Sequence, residues 1–196
     1  MKDTPTAAAL YDFFMRGLDM LLAKKWRREL WSRVEGPAVL EAGAGTGLNI
    51  PFYKPEFEVT LLDSNRSYLD LARERACANQ LEVKLVIGDI QNMAFSAGSF
   101  DTAATTFLFC QLDSPVQGLQ ELYRVLRPGG QLLLLEHVRT SGLFGHLVAA
   151  MAHPLYRLTG SRMAREMESY VKKIGFVDLT STAVFTNGVR IIEARK

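Results

Sequence analysis

The stretch Val39-Leu40-Glu41-Ala42-Gly43-Ala44-Gly45-Thr46-Gly47 decides how this chain folds. Two apolar residues with strand character precede an acidic residue and three glycines at alternate positions. Glycine has no Cβ, so it can turn the chain sharply and let a ligand lie against backbone N–H groups. The stretch therefore predicts a strand-to-helix turn beneath a nucleotide-like ligand.

The spacing of these glycines separates two kinds of nucleotide site. A dinucleotide-binding turn has the pattern G-x-G-x-x-G. Here the third glycine is Gly47, and Leu48 occupies the place where that pattern needs one. This argues against an oxidoreductase that uses a dinucleotide. A glycine-rich turn alone is a weak signal, so the interpretation depends on residues at fixed distances downstream.

The composition is that of one ordinary globular domain. The chain has 196 residues, of which 48% are hydrophobic and 22% charged, enough to bury a full core. Cys77 and Cys110 belong to no C-x-x-C pair or Cys/His cluster, so we expect a reducing, cytoplasmic environment and neither a disulfide framework nor a metal site. No stretch approaches the roughly 18 uninterrupted apolar residues of a membrane-spanning helix. The N-terminus also lacks the charged segment, apolar segment and cleavage site that follow one another in a signal peptide.

The net charge of +2 is unevenly distributed. Residues 1–33 carry +3, residues 34–138 carry −6, and residues 139–173 carry +4. Both basic segments are also rich in large apolar residues, which suits peripheral contact with an anionic membrane surface. Two amphipathic helices with solvated basic faces explain the pattern equally well. No lysine/arginine stripe with an aromatic ladder occurs, so we expect no nucleic-acid partner.

Hydrophobic periodicity and turn residues predict alternating strands and helices. Two N-terminal helices meet near Gly17, and the first strand is Ala38–Ala42. Further strands are predicted at 57–63, 81–87, 102–109 and 132–135, and a short, irregular helix at 48–53. Longer helices are predicted at 68–79, 119–126 and 163–174, followed by a hairpin of residues 176–184 and 189–194.

Asp63 gives the strongest downstream signal. It lies 20 residues after Gly43, at the end of the second predicted strand. In nucleotide-binding α/β units an acidic residue about 20 positions on accepts hydrogen bonds from the ribose hydroxyls. The alternative role, capping the next helix, suits Ser64 or Asn65 better. We therefore expect Asp63 to bind a ribose.

Three further motifs follow in a fixed order. Gly88-Asp89-Ile90 ends the third strand, F-x-x-x-S-F-D spans 95–101, and L-R-P-G-G spans 126–130. With the glycine turn preceded by Glu41, they resemble the class I S-adenosylmethionine-dependent methyltransferases of type 11, over roughly residues 34–140. The resemblance implies a Rossmann-like α/β fold whose mostly parallel sheet has an antiparallel last strand and helices on both faces. It also implies S-adenosyl-L-methionine as cofactor and S-adenosyl-L-homocysteine as product.

The resemblance assigns roles to individual residues. Asp89 would meet the exocyclic amine of adenine, since a carboxylate only accepts and an amine donates, and Ile90 would pack on the ring. The end of the fourth strand would face the cofactor's methionine part. Tyr11 would close an N-terminal helix over the site, although a tyrosine that simply packs the helix fits as well. The implied cofactor-binding residues are Tyr11, Glu41, Ala42, Gly43, Gly45, Asn49, Asp63, Ser64, Asp89, Ile90, Thr106 and Phe107.

A second set of motifs points to one subgroup within these methyltransferases. L-E-H-V-R at 135–139, then His153-Pro154-Leu155-Tyr156 and Gly160, are similar to a subgroup with lipophilic acceptors. It includes phospholipid N-methyltransferases, small-thiol methyltransferases and quinone methyltransferases. Ser161-Arg162 departs from it, because a cysteine is common there. The implied acceptor is a phospholipid amine of the phosphatidylethanolamine type at the membrane surface, with a lipophilic thiol or a quinone as alternatives.

Tyr11, His137 and His153 are the candidate catalytic bases, since a histidine titrates near neutral pH. The expected organisation is a single methyltransferase domain, monomeric or weakly dimeric, in the cytoplasm at the inner membrane face. Within it we expect an N-terminal helical lid (1–35), a cofactor-binding core (36–138), an acceptor-side cap (139–173) and a C-terminal hairpin (174–196). A catalytically silent cofactor-binding subunit and a membrane-surface adaptor remain open as other classes of function.

Overall fold

The computed structural model describes residues 23–137, 167–185 and 188–196. This part of the chain alternates strands and helices as the periodicity predicts. The helices are α1 (Lys24–Ser32), a short 3-10 helix (Ile50–Phe52), α2 (Arg66–Ala78), α3 (Pro115–Val125) and α4 (Met167–Ile174). The strands are β1 (Ala38–Ala42), β2 (Glu58–Asp63), β3 (Val83–Ile87), β4 (Phe100–Thr106), β5 (Leu126–His137), β6 (Val177–Phe185) and β7 (Val189–Arg195).

The seven strands form one sheet in the order β3-β2-β1-β4-β5-β7-β6. Neighbours from β3 to β5 pair in parallel, whereas β7 pairs antiparallel with both β5 and β6. This confirms the predicted fold class. From β1 the chain adds β2 and β3 on one side of the sheet and then β4 and β5 on the other side. At such a switch in strand order, open α/β sheets bind ligands in the crevice beyond the carboxyl ends of the strands. The glycine turn follows β1 there.

The sheet separates two apolar layers. Leu40, Leu132 and Leu134 pack with α3 and α4 on one face. Val39, Leu133 and Leu135 pack with α1 and α2 on the other. Because successive side chains of a strand point to opposite faces, Glu136 lies on the α3 face and His137 on the α1 face.

Several predicted boundaries are wrong. β4 ends at Thr106 rather than Phe109, because Phe107 has a left-handed backbone, φ +54°, that leaves the ladder. β5 begins at Leu126 rather than at Leu132. Residues 127–130, which the prediction left between a helix and a strand, form an irregularity of β5 opposite Asp101. α3 begins four residues earlier than predicted, at Pro115, since proline suits the first turn of a helix.

Within the described ranges, no helix is long and apolar enough to cross a membrane. The joint near Gly17, the candidates Tyr11 and His153, and residues 139–166 of the proposed acceptor-side cap lie outside those ranges.

Candidate active site

The three glycines of the turn have the same backbone form but different surroundings. Gly43, Gly45 and Gly47 have φ values of +70°, +55° and +79°, the region that glycine enters without strain. A Cβ on Gly43 would lie 2.6 Å from Leu108 Cδ1, and one on Gly47 would lie 2.5 Å from Ile50 Cδ1. A Cβ on Gly45 would meet no atom of the described residues within 4 Å. Only the middle glycine therefore faces open space, where a ligand can approach the backbone.

Asp63 lies beside this opening at the end of β2. Its Oδ2 accepts the Gly45 N–H at 2.8 Å, and its Oδ1 accepts the Asn65 N–H at 2.9 Å. Burial raises the pKa of Asp63, although the N–H groups of Asn65, Gly45 and Ser64 oppose the shift. Each carboxylate oxygen can accept a further hydrogen bond, so Asp63 fits the predicted ribose contact. Asn65 caps α2, as expected, by accepting the Tyr68 N–H at 3.3 Å.

Glu41 is the centre of a buried polar network. It is 1% exposed, its Oε1 accepts from Asn49 Nδ2 at 2.7 Å, and its Oε2 accepts from the Tyr53 hydroxyl. Asn49 Nδ2 also donates to Thr106 Oγ1 at 3.0 Å, and Asn49 Oδ1 accepts from Arg27 Nη1 at 3.0 Å. The network joins α1, β1, the 3-10 segment and the end of β4. Burial raises the pKa of Glu41 to about 7, although the Tyr53 and Asn49 hydrogen bonds oppose it.

Sequence reasoning missed Tyr53 and Arg27 as members of this network. Arg27 is three and four positions before Leu30 and Trp31, the other buried residues of α1. A cation at the spacing of a buried helix face needs a polar partner, and that spacing is the signal which could have found it. Tyr53 gives no comparable local signal, because only the fold brings its hydroxyl to Glu41.

The ends of β4 and β5 meet beside the network. The Phe107 and His137 rings have centroids 4.6 Å apart, and the Arg27 guanidinium carbon lies 5.6 Å from the Phe107 centroid. Burial lowers the pKa of His137, so the imidazole is neutral at neutral pH. The structure thus brings together Thr106, Phe107 and His137, three of the predicted site residues.

The predicted adenine residues lie after β3. Asp89 is exposed, and its Oδ1 accepts the Gln91 N–H at 2.8 Å. The Gln91 side chain in turn accepts the Ser114 N–H at 3.0 Å, which ties this loop to the start of α3. Ile90 is buried in the core of the α3 face. The contacts of Asp89 and Ile90 with adenine stay predictions.

The remaining predicted residues are less informative. Ala42 is fully buried, so only its backbone is available to a ligand, whereas Ser64 is exposed.

Glu136, absent from the predicted site, is buried at the end of β5 and accepts the N–H groups of Leu108 and Phe109 at 2.8 and 3.1 Å. Burial raises the pKa of Glu136 to about 7.

Comparison with known proteins agrees with this geometry. A family model described as a methyltransferase domain matches residues 40–134. A demethylmenaquinone methyltransferase of Deinococcus radiodurans is 35% identical over 145 residues, covering 70% of this chain and 60% of that protein. Human thiol S-methyltransferase TMT1B is 38% identical over 122 residues, covering 57% of this chain and 50% of the relative. This chain thus spans only about half to three fifths of the length of these two relatives.

A phosphatidylethanolamine N-methyltransferase of Cereibacter sphaeroides is 31% identical over 147 residues, covering 74% of this chain and 71% of the relative. Among solved structures, a SAM-dependent methyltransferase of Thermotoga maritima superposes with a TM-score of 0.78 at 18% identity, covering 96% of this chain and 97% of that one. The chain belongs to the class I S-adenosylmethionine-dependent methyltransferases, whose methyl donor is S-adenosylmethionine.

The residues present fit this cofactor. The open space at Gly45 admits a ligand against the backbone, and the adjacent Asp63 carboxylate offers acceptors to ribose hydroxyls. When bound, the cofactor supplies a methyl group that its sulfonium already activates for transfer.

The two buried glutamates should make the protein less stable as pH rises from about 5 to 7. Each has a pKa of about 7 when folded, against an ordinary value of 4.5, so the folded protein holds protons that the unfolded chain has released. Stability falls with pH wherever the unfolded state binds fewer protons, by up to about 1.4 kcal/mol per pH unit and group. His137 acts in the opposite direction, because its lowered pKa leaves the folded state with fewer protons.

Urea unfolding of wild type and Glu136→Gln at pH 5.5 and 7.5 measures this effect. The His137 contribution cancels in the comparison, so the variant should show the flatter decline. Glu121→Gln is the control. The hydrogen bond from Arg124 lowers the pKa of Glu121, so Glu121 does not titrate in this pH range. The substitution should therefore leave the decline of stability with pH unchanged. Equal slopes for wild type and Glu136→Gln would contradict the prediction.

Proposed function

We propose that this chain transfers a methyl group from S-adenosylmethionine to a small lipophilic acceptor, a phospholipid amine of the phosphatidylethanolamine type at a membrane surface. The part of the proposal that concerns cofactor binding rests on one observation. Gly45 alone of the three turn glycines faces open space, and the Asp63 carboxylate borders it.

The protein's task in this reaction is alignment and the exclusion of water. Asp63 and the Gly45 backbone hold the nucleoside part. Asn49 and Thr106, joined by a 3.0 Å hydrogen bond, form the wall at the end of β4. Phe107 and His137 stack beside that wall, on the side from which an acceptor would reach the methyl group.

The proton demand of the acceptor defines the role of His137. An amine must be neutral to attack, and a thiol reacts as its thiolate, so a base helps whenever the acceptor arrives protonated. Burial lowers the pKa of His137, so the imidazole is a weaker base than an exposed one but is deprotonated and therefore able to accept a proton. We propose His137 as that base. Tyr11 and His153 remain candidates outside the described residues.

Two observations support the phospholipid amine. The relative named phosphatidylethanolamine N-methyltransferase is matched over 71% of its length. The basic segments 1–33 and 139–173, with net charges of +3 and +4, are suited to an anionic lipid surface. An apolar mouth predicted from Phe13, Phe14, Leu143, Phe144, Leu147 and Met151 lies outside the described residues.

A lipophilic thiol is the second candidate acceptor. The relative named thiol S-methyltransferase is 38% identical to this chain, against 31% for the relative named phosphatidylethanolamine N-methyltransferase. The Glu136-His137 pair also resembles the small-thiol methyltransferases. A quinone ranks third, supported by the relative named demethylmenaquinone methyltransferase. The three share a hydrocarbon part, which an apolar mouth would bind with about 0.8 kcal/mol per buried methylene.

A panel of acceptors tests the proposal. Purified protein is mixed with S-adenosylmethionine and either phosphatidylethanolamine in anionic vesicles, an alkyl thiol or a demethylated quinone. Release of S-adenosylhomocysteine is measured. We expect the fastest release with the vesicles and a decline at high salt, because salt screens surface charge. Phosphoethanolamine, which has the same amine without acyl chains, is the matched control and should be a poor acceptor.

Turnover confined to water-soluble acceptors would contradict the lipophilic proposal. Binding of S-adenosylhomocysteine without turnover on any acceptor would favour a catalytically silent subunit. Vesicle binding without cofactor binding would favour a membrane-surface adaptor.

A further inference from the structure

Glu136 has a burial and a bonding pattern that the proposed reaction does not use. It is 1% exposed at the carboxyl end of β5. Its Oε1 accepts the N–H groups of Leu108 and Phe109 at 2.8 and 3.1 Å, and the Thr105 hydroxyl lies 3.5 Å away. Its buried Oε2 has no hydrogen-bond partner in the part of the chain that the structure describes. A buried, unpaired carboxyl oxygen is costly, so stability alone does not account for a glutamate here.

The segment that Glu136 holds is strained. Residues 107–111, called the β4 turn below, begin at Phe107, whose φ of +54° is unusual for a bulky side chain. The Phe107 N–H still donates to Leu135 O at 2.8 Å, but the next two N–H groups donate to Glu136 instead of a strand. A strained backbone persists only where its surroundings hold it in place. The Glu136 carboxyl holds this segment by accepting the N–H groups of Leu108 and Phe109.

The β4 turn contacts both parts of the candidate site. A Cβ on Gly43 would lie 2.6 Å from Leu108 Cδ1, so the Leu108 side chain packs directly on the glycine turn. On the other side, the Phe107 ring lies against the ring of His137. The position of this one turn therefore sets a wall of the cofactor site and a wall of the acceptor side.

We propose that Glu136 is a positioning residue for methyl transfer, which locks the β4 turn so that Leu108 lies on Gly43 and Phe107 lies on His137. Glu136 acts through the turn and touches neither reactant. The proposal rests on the proposed function, because it takes the opening at Gly45 to be the cofactor site.

Three variants test the role of Glu136. Glu136→Ala removes the acceptor of both N–H groups, whereas Glu136→Gln keeps a carbonyl oxygen in the same place. Gln131→Ala is the control, since Gln131 is a fully buried polar residue of the same strand that bonds to Thr102 at the opposite end of the sheet. Affinity for S-adenosylhomocysteine is measured by calorimetry at a temperature where every variant is folded, and amide exchange is followed at Leu108 and Phe109.

We expect Glu136→Ala to weaken S-adenosylhomocysteine binding by about tenfold, the size of effect that a residue acting through packed neighbours has on a site. Hydrogen exchange should become faster at both amides. Glu136→Gln should restore both to near wild type, and Gln131→Ala should change neither. Unchanged affinity in folded Glu136→Ala would overturn the proposal, as would an equal loss in Gln131→Ala.

A double variant gives an independent check. If Glu136 acts through Leu108, the losses of Glu136→Ala and Leu108→Ala should not add, and strict additivity would overturn the proposed route. Wild-type protein that fails to bind S-adenosylhomocysteine would contradict the proposed function instead. Amide exchange needs no cofactor, so it would still decide whether Glu136 holds the β4 turn.

Discussion

Gly45→Val should abolish binding of S-adenosylhomocysteine while the protein remains folded. The new side chain would project into space that no described residue occupies within 4 Å, so it meets the ligand and not the core. We expect a loss of at least about 100-fold, since a direct clash excludes the ligand rather than removing one contact. The left-handed backbone at Gly45, φ +55°, adds a folding cost of about 1–2 kcal/mol, which a stable domain tolerates.

Two other glycines make the Gly45→Val experiment specific. Gly129 also has a left-handed backbone, φ +75°, and a Cβ there would meet no described atom within 4 Å, but its N–H donates to Lys196 O away from the site. Gly129→Val should therefore bear similar strain and bind normally. Gly47→Val should damage folding, because its Cβ would lie 2.5 Å from Ile50. Calorimetry and thermal unfolding measure both effects. Binding of Gly45→Val within about threefold of wild type would refute the cofactor site.

Asp63→Ala should weaken S-adenosylhomocysteine binding by about 1.5–3 kcal/mol, the range for a hydrogen bond to a charged group. That corresponds to roughly 10- to 150-fold in affinity. Two effects contribute, because the methyl side chain accepts nothing from ribose and because the Gly45 N–H loses its 2.8 Å acceptor. Calorimetry of the folded variant measures the sum.

A ligand analogue separates the two effects. S-adenosylhomocysteine without its ribose hydroxyls should bind wild type weakly, and Asp63→Ala should bind this analogue and the normal ligand almost equally. Asn65→Ala is the control: it removes the cap of α2, which costs about 0.5–2 kcal/mol of stability without touching the ribose acceptor. Unchanged affinity in well-folded Asp63→Ala would rule out the ribose role.

Much of the fold could be predicted because its signals are local. The first strand, Ala38–Ala42, has the predicted bounds, since an apolar run followed by glycines ends a strand wherever it occurs. The hairpin of β6 and β7 and its antiparallel pairing were also predictable. The end of β4 was not. Thr106 and Phe107 continue an apolar, β-prone run, and only contacts to β5 and Glu136 enforce the left-handed backbone at Phe107.

The sequence by itself determined the class of fold, the glycine turn and Asp63, because alternation, glycine spacing and the distance from Gly43 to Asp63 are properties of neighbouring residues. Only the tertiary structure decided which glycine of the turn faces open space, since the space at Gly43 and Gly47 is filled by side chains from the β4 turn and the 3-10 segment. It also decided the partners of Glu41 and Glu136. A buried carboxyl needs donors, but those donors come from residues 8 to 31 positions away. Sequence separation does not reveal which of them the fold brings within hydrogen-bond distance.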